Sequence, residues 1–170
     1  MTPNKRGAAV ADFADEIERF LASFSPEEVV LMGLAFQAIL DGRPAPTAEL
    51  PAAAGLPPAT VAAAVEHLAE RGILVLEPET GEITGARGLS LAETSHRLIL
   101  GGQRRYAFCA MDAVGIPVAL GTAATIESEC HHCQVPLRLT VKDGAVVQPP
   151  QGAVIWAVER DLTRSLRAHT

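Results

Sequence analysis

A cysteine and an aspartate stand three residues apart in YAFCAMDAVGIPVALG, residues 106–121: they are Cys109 and Asp112. The stretch before Pro117 has room for about two helical turns, and residues three apart share a helix face. A thiolate is a soft ligand for soft metal ions, and a partly desolvated carboxylic acid can hold and deliver a proton. The pair therefore fits cleavage of a bond between carbon and a soft metal. The alternative is an inert buried cysteine beside a capping aspartate.

A second cluster of soft or borderline ligands lies at Cys130-His131-His132-Cys133. A C-x-x-C sequence with internal histidines can supply several metal ligands from one loop. A closed structural zinc site needs four ligands, and the chain has no second C-x-x-C. The two adjacent histidines would also struggle to reach the same ion as both thiols. The cluster predicts binding of a transition-metal or mercuric ion, and the alternative is a loop with incidental thiols.

The composition describes a globular protein of 170 residues, 48% apolar and 20% charged, with a net charge of −6. The negative charge argues against broad binding of phosphates, and hence against nucleic acid as a partner. The N-terminus becomes acidic before any apolar stretch, and no apolar run approaches the roughly 18 residues of a membrane span. We therefore expect a cytoplasmic protein with no membrane partner, in which thiols stay reduced. Three cysteines also leave one over from any disulfide framework.

The first half of the chain is predicted to be mainly helical. Ser25-Pro26-Glu27-Glu28 is a capping box that should begin a helix ending near Asp41-Gly42. Thr47 is expected to cap a short turn through Leu50, and Gly72 should end a later helix with Val61, Val65 and Leu68 inside. The remaining elements are a helix over 13–24 and short strands at 73–77 and 82–84.

This order of helices and hairpin is typical of a winged helix-turn-helix. The helix that would read DNA, PPATVAAAVEHLAERG, offers one arginine beside two glutamates, without Asn, Gln or Lys for a base edge. We therefore expect a module that packs against protein or dimerises, rather than one that binds nucleic acid.

The second half changes to the period of strands. Residues 97–108 are predicted as two strands joined at Gly101-Gly102, a pair suited to a tight hairpin turn. Further strands are expected at 135–141, 145–147 and 153–158, with helical turns in the tail. The predicted fold class is α+β, with a winged-helix-like helical domain over 1–86 and an antiparallel-sheet domain over 87–170.

The segment GLSLAETSHRLILGGQRRYAFCAMDAVGIPVALGTAATIESEC, with the later PLRLTV and QPPQGAV, resembles the core of the organomercurial (alkylmercury) lyase family. The shared features are G-L-x-L-x-x-T-x-H, Y-A-x-C-A-x-D, P-x-x-x-G and an E-S-x-C loop ahead of a strand. The resemblance is close over about residues 88–155. That family also begins with a winged-helix-like domain that does not read DNA. The resemblance implies an alkylmercury lyase, which converts R–Hg–X and a proton into hydrocarbon and thiol-bound mercuric ion.

By this resemblance, Cys109 corresponds to the family's catalytic cysteine that takes the organomercurial. Asp112 corresponds to the carboxylate that helps deprotonate the thiol and then protonates the leaving carbon. Cys130 corresponds to a cysteine regarded as structural, and Cys133 has no counterpart. The family's second mercury-binding cysteine is expected beyond the last predicted strand, about where the chain ends at Thr170. Either that portion is missing from this sequence or the protein lacks the thiol, and Cys133 is the candidate replacement.

The resemblance implies no required cofactor, with mercuric ion as the bound product or another soft or borderline ion in its place. The implied partners are a small organomercurial substrate and, as product acceptor, cellular thiols or a mercuric-ion reductase. Two other functions remain open. One is a non-catalytic soft-metal-binding protein that uses Cys109, Cys130 and Cys133. The other is a metal-responsive winged-helix regulator, which the acidic balance disfavours.

Overall fold

The computed structural model describes residue 15, residues 17–147 and residues 149–155. After a helical stretch at 17–22, the helices are α1 (Pro26–Asp41), α2 (Leu50–Ala54), α3 (Pro58–Glu70) and α4 (Ala110–Ala119). The strands are β1 (Leu74–Leu76), β2 (Ile83–Ala86), β3 (Leu89–Ser90), β4 (His96–Leu100), β5 (Gln103–Ala107), β6 (Ala124–Glu129), β7 (Pro136–Lys142) and β8 (Ala145–Val147). Within the described residues, no helix is both long and apolar enough to cross a membrane. The fold is therefore a mixture of helices and antiparallel sheet, as predicted.

Helix α1 has the predicted start and end. The Ser25 hydroxyl accepts from the Glu28 N–H at 3.2 Å, and the Glu28 carboxylate accepts from the Ser25 N–H at 2.7 Å. Gly42 ends the helix in the left-handed region, at φ +87°. The Glu28 carboxylate also contacts the His67 ring of α3. One buried side chain thus caps α1 and ties it to α3.

The expected cap at Thr47 is wrong. Residues 47–49 form a turn, and α2 begins only at Leu50, without a side-chain cap. Pro51 lies in the first helical turn, where its fixed φ and missing N–H favour a helix start. Gly55 ends this short helix at φ +66°.

The strands form one antiparallel sheet in the order β1-β2-β3-β5-β4-β6-β7-β8. The β4–β5 hairpin turns at Gly101 and Gly102, with φ +54° and +81°, which confirms the predicted turn. Strand β6 was not predicted, and the E-S-x-C residues in its second half were described as a loop. It lies between β4 and β7 with Ala124 and Ile126 buried. Of the predicted strand at 153–158, residues 153–155 are not in a strand. Residues 156–158 and the predicted helical tail lie outside the described residues.

Helix α4 continues through Pro117, where it was expected to stop. Proline lacks the N–H that would bond to the Ala113 carbonyl, so one helical hydrogen bond is lost. Ala113, Ile116 and Pro117 are nevertheless buried, and α4 packs on the central strands of the sheet. The apolar face therefore holds α4 together past the proline as far as Ala119.

The sheet joins the helical part of the chain to the second half. The predicted division between residues 86 and 87 falls at the two-residue turn linking β2 to β3, where Gly85 pairs with Ser90. Buried apolar residues from both sides of that turn belong to one core. The division into domains over 1–86 and 87–170 stays a prediction.

Arg105 attaches α1 to the sheet. Its side chain, on β5, is 6% exposed. Nε donates to the Ile39 carbonyl and Nη2 to the Leu40 carbonyl, both at 2.8 Å. These carbonyls belong to the last turn of α1, where intrahelical donors run out and the helix dipole favours a positive charge. The guanidinium therefore satisfies the end of α1 and clamps it to β5.

We predict that Arg105→Met destabilises the protein by about 2–3 kcal/mol, because buried carbonyls lose a charged donor. The matched control is Arg104→Met, since Arg104 precedes it on β5 but is exposed. The free energy of unfolding from urea denaturation measures both. Equal losses in the two variants would contradict the clamp.

Candidate functional site

Cys109 lies at the junction of β5 and α4. Its backbone is extended, at φ −147° and ψ 172°, and it is the N-cap residue of α4. Asp112 lies in the first helical turn, and the Cys109 thiol donates a hydrogen bond to Asp112 Oδ2 at 3.0 Å. The structure thus brings together the thiol and carboxylate that the sequence singled out.

The turn between β2 and β3 holds the carboxylate from its other side. A Cβ added to Gly88 would lie 2.4 Å from both Cγ and Oδ1 of Asp112, and Gly88 has φ +87°. The Gly88 carbonyl accepts from the Phe108 N–H at 2.8 Å. Only glycine allows the backbone to approach Asp112 so closely. The carboxylate is therefore fixed between α4 and this turn.

The Cys109 thiol opens onto a cleft of about 300 Å³. The lining residues come from the start of β4 and the residue before it, the β5–α4 junction, and the end of β6 with the turn after it: Ser95, His96, Phe108, Cys109, Glu129, Cys130, His131 and Gln134. Cys109 and Cys130, two of the predicted site residues, thus share one cleft. Cys133 is not among the residues that line it.

Burial keeps the Cys109 thiol protonated. It raises the pKa of Cys109, and the Asp112 charge and hydrogen bond raise it further, against smaller opposing effects of the Asp112 and Met111 N–H groups. The thiol and the carboxylate therefore hold a proton between them at neutral pH.

His96 is a cleft residue for which the sequence analysis proposed no role. Its Nδ1 lies 2.6 Å from the Ser128 hydroxyl. Burial lowers the pKa of His96, and the nearby Asp112 charge only partly opposes that shift. The cleft therefore presents a neutral imidazole at neutral pH. Its one signal in the sequence was its place at the end of the G-L-x-L-x-x-T-x-H pattern.

The C-x-x-C segment forms the tight turn between β6 and β7. The Cys130 N–H donates to the Val135 carbonyl at 3.0 Å, and the Gln134 N–H donates to the Cys130 carbonyl at 2.7 Å. The N–H groups of Cys133 and His132, followed by the Cys133 side chain, lower the pKa of Cys130. The two cysteines of the turn are therefore neighbours, and the surroundings of Cys130 favour its thiolate.

A three-cysteine metal site does not form in this structure. In the part of the chain that is described, no three or more His, Cys, Asp and Glu side chains are grouped so that they could hold a metal ion. The structure gives two pairs instead, Cys109 with Asp112 and Cys130 with Cys133, and Cys130 lies on the cleft of the first pair.

The fold and the site define an α+β protein in which a thiol and a carboxylate share a proton beside a second thiol. The family model for alkylmercury lyase matches residues 89–170. The chain is 30% identical over 164 residues to the alkylmercury lyase of Staphylococcus epidermidis, covering 94% of this chain and 72% of that protein. It is 39% identical over 90 residues to the alkylmercury lyase of Streptomyces lividans, covering 52% of this chain and 41% of that protein.

Among solved structures, the chain is similar to the crystal structure of the mercury-bound form of MerB2. The TM-score is 0.73 at 31% identity, over 78% of this chain and 64% of that chain. The present chain therefore spans less than two thirds of MerB2. It belongs to the alkylmercury lyase family.

We predict that Asp112→Asn lowers the pKa of Cys109, because it removes the negative charge that opposes the thiolate. The rate of alkylation by iodoacetamide against pH measures that pKa, in a Cys130→Ser/Cys133→Ser background that leaves one reactive thiol. The half-maximal rate should move to lower pH in the Asn variant. An unchanged midpoint would show that burial alone raises the pKa of Cys109.

A second prediction concerns Gly88→Ala, which should displace the carboxylate and separate it from the thiol. The control is Gly102→Ala: Gly102 has a similar φ of +81°, but nothing lies within 4 Å of an added Cβ there. Backbone strain is then common to both variants. Only Gly88→Ala should change the pH profile of Cys109 alkylation, and the same change in both would rule out the contact with Asp112.

Proposed function

We propose that this chain cleaves the carbon–mercury bond of a small organomercurial by protonolysis, with Cys109 as the mercury-binding thiol and Asp112 as the proton donor. The observation that carries the proposal is the 3.0 Å hydrogen bond between the Cys109 sulfur and Asp112 Oδ2. The proton that the thiol must lose to bind mercury already points at the group that must later deliver it. A thiolate is also the soft ligand that suits mercury.

The first step forms the bond between mercury and the Cys109 sulfur. In R–Hg–X the ligand X⁻ leaves, and the thiol proton passes to Asp112. In the second step the carbon–mercury bond breaks, and its electron pair takes the proton from Asp112 to give R–H. The carboxylate returns to its ionised form, and the mercury remains as mercuric ion on sulfur.

Cys130 is our choice for the second thiolate, because it lines the same cleft as Cys109. Its proton leaves with X⁻ as HX, and the products are R–H and a mercuric ion held by two sulfurs. The backbone N–H groups of Cys133 and His132 lower the pKa of Cys130 and so favour its thiolate. Cys133, the replacement expected from the sequence, lies three residues later in the same turn and does not line the cleft.

The proposed chemistry requires no cofactor, since both proton and sulfur come from the protein. The mercuric product has to leave by exchange to other sulfurs, so cellular thiols or a mercuric-ion reductase are the proposed acceptors. A reaction that consumes free thiols also needs a reducing compartment, which is the reason for placing the protein in the cytoplasm.

We further propose that α1–α3 and the β1–β2 hairpin form a winged-helix-like module of residues 1–86 that does not bind DNA. The arginine of the would-be recognition helix is Arg71, whose guanidinium carbon lies 4.1 Å from the Phe24 ring centroid. Its Nη2 donates to the Ser23 hydroxyl at 2.9 Å. Because the Arg71 side chain already contacts Phe24 and Ser23, this helix offers few free side chains that could bind the edges of DNA bases.

The competing function is a protein that binds soft metals without catalysis. Binding requires only the thiols, whereas cleavage also requires a proton donor. Asp112 therefore separates the two functions.

We predict that Asp112→Asn still takes up inorganic mercuric ion but releases methane from methylmercury at least about 10²-fold more slowly, because the amide cannot deliver the proton. Asp143→Asn is the matched control, since Asp143 is exposed in the β7–β8 turn. Gas chromatography of the released hydrocarbon measures the rate. Equal release by the two variants would remove Asp112 from the reaction, and metal uptake without release by the wild type would favour the binding protein.

A further inference from the structure

A second cavity, of about 450 Å³, adjoins the cleft that contains Cys109. Ser95 and Glu129 line both of them. His96 lines the cleft and Ser128 lines the second cavity, and the 2.6 Å contact between Nδ1 and the hydroxyl joins the two walls. A molecule in the second cavity would therefore lie beside the place where mercury is proposed to bind.

Three charged side chains form a row across the sheet and line the second cavity. Arg97 of β4 pairs with Glu127 of β6, which pairs with Arg138 of β7. Arg97 Nη1 lies 3.1 Å from Glu127 Oε2. Arg138 Nη1 lies 3.9 Å from Oε1 of the same carboxylate, which is beyond hydrogen-bond distance. The row therefore carries two positive charges against one negative charge.

The two arginines of this row are available to a ligand. Their side chains are 43% and 71% exposed, and within the described part of the chain neither has an ion-pair partner other than Glu127. Exposed ion pairs of this kind contribute little to stability, so turning an arginine toward a ligand costs little. A guanidinium presents paired N–H donors that match a carboxylate. The row is therefore suited to bind a carboxylate group.

Two further acidic side chains, Glu93 and Glu129, line the same cavity. They would repel a ligand that carried only negative charge, and they would attract an ammonium group. Together with the two arginines they give the cavity charges of both signs. This combination matches an amino acid, which carries a carboxylate and an ammonium group at neutral pH.

We propose that the second cavity binds the ligand X of the substrate R–Hg–X, and that X is an amino-acid thiol whose carboxylate contacts Arg97 and Arg138. Its ammonium group faces Glu93 and Glu129. The proposal rests on the function proposed above, because X leaves in the first step of that reaction. Mercury is soft and binds sulfur in a compartment rich in thiols, so the ligand that it carries there is a thiolate.

The exchange involves no oxidation or reduction. The Cys109 sulfur forms its bond to mercury, and the bond between mercury and the sulfur of the amino-acid thiol breaks. The Cys109 proton passes to Asp112, and the departing sulfur leaves as a free thiol with the proton of Cys130. The cleft thus holds mercury and the group R, while the second cavity holds the rest of the thiol. Charge contacts at that distance from the reacting atoms orient the substrate before the exchange.

The first experiment measures binding of an amino-acid thiol ether without mercury or turnover. The probe is S-methylcysteine, which keeps the carboxylate and ammonium groups of cysteine but has a capped sulfur. Amide shifts of ¹⁵N-labelled protein report its binding, and we expect saturable shifts at Ser95, Arg97 and Arg138. Arg97→Gln/Arg138→Gln should bind at least about 10-fold more weakly, because charge-assisted hydrogen bonds are lost.

The matched control is Arg43→Gln, since Arg43 is 63% exposed and forms an ion pair of its own with Asp41. It should bind S-methylcysteine as the wild type does. The absence of saturable binding, or the same loss of affinity in the control, would overturn the proposal. Because no mercury is present, this result does not depend on the lyase reaction.

The second experiment compares two substrates that differ only in X. Methylmercury is supplied as its cysteine adduct or as its 2-mercaptoethanol adduct, and kcat/KM for methane release is measured for each. The ratio of the two values should fall by about 10-fold in Arg97→Gln/Arg138→Gln, mainly through a higher KM for the cysteine adduct, and should stay unchanged in Arg43→Gln. The intrinsic reactivities of the two thiols cancel, because the ratio is compared between proteins.

The same ratio in the wild type and in Arg97→Gln/Arg138→Gln would overturn the proposal. Failure of the wild type to release methane from either adduct would instead contradict the lyase function, and the binding of S-methylcysteine then decides on the cavity by itself. The two proposals can therefore fail separately.

Discussion

The hydrogen bond between the Cys109 thiol and the Asp112 carboxylate depends on where strand β5 stops and helix α4 starts. Ala107 is paired with Leu89 of β3 on one side and with His96 of β4 on the other, so the end of β5 cannot slip. A shift by one residue would turn every side chain of a strand to the opposite face. Two residues later the extended Cys109 begins the helix, and Asp112 comes round on the same face. The paired strands thereby fix the thiol, and the helix fixes the carboxylate.

Two sulfurs of one cleft sit in opposite electrostatic surroundings. Cys109 is half-buried beside a carboxylate and keeps its proton, whereas Cys130 is at a turn whose N–H groups favour its thiolate. A proton is therefore held between the Cys109 thiol and the Asp112 carboxylate, and negative charge is favoured at the other thiol of the cleft. Neutral His96 adds no positive charge that would remove this difference. The contrast arises from local backbone geometry, since the two thiols are chemically alike.

Local signals in the sequence were sufficient for much of the fold. The capping box at Ser25, the glycine pair at residues 101 and 102 and the three-residue spacing of Cys109 and Asp112 are each decided within a few residues. Strand β6 was missed because its polar residues alternate with only two buried ones, Ala124 and Ile126, and its place depends on partners distant in sequence. The approach of Gly88 to Asp112 is likewise a tertiary contact, for which a lone glycine in the sequence is a weak sign. The role of Cys133 remains a prediction.

The helical part of the chain bears on the position of the carboxylate rather than on the C-x-x-C turn. Strand β2 packs on α1, and the bridge between Ala45 and Ile83 ties it to the segment that follows α1. The next residues lead directly into the turn whose Gly88 backbone lies close against the Asp112 carboxylate. The turn that carries Cys130, in contrast, is closed by the β6–β7 hairpin. Loosening α1 from the sheet is therefore expected to shift the Asp112 carboxylate first, while the turn that carries Cys130 keeps its own backbone hydrogen bonds.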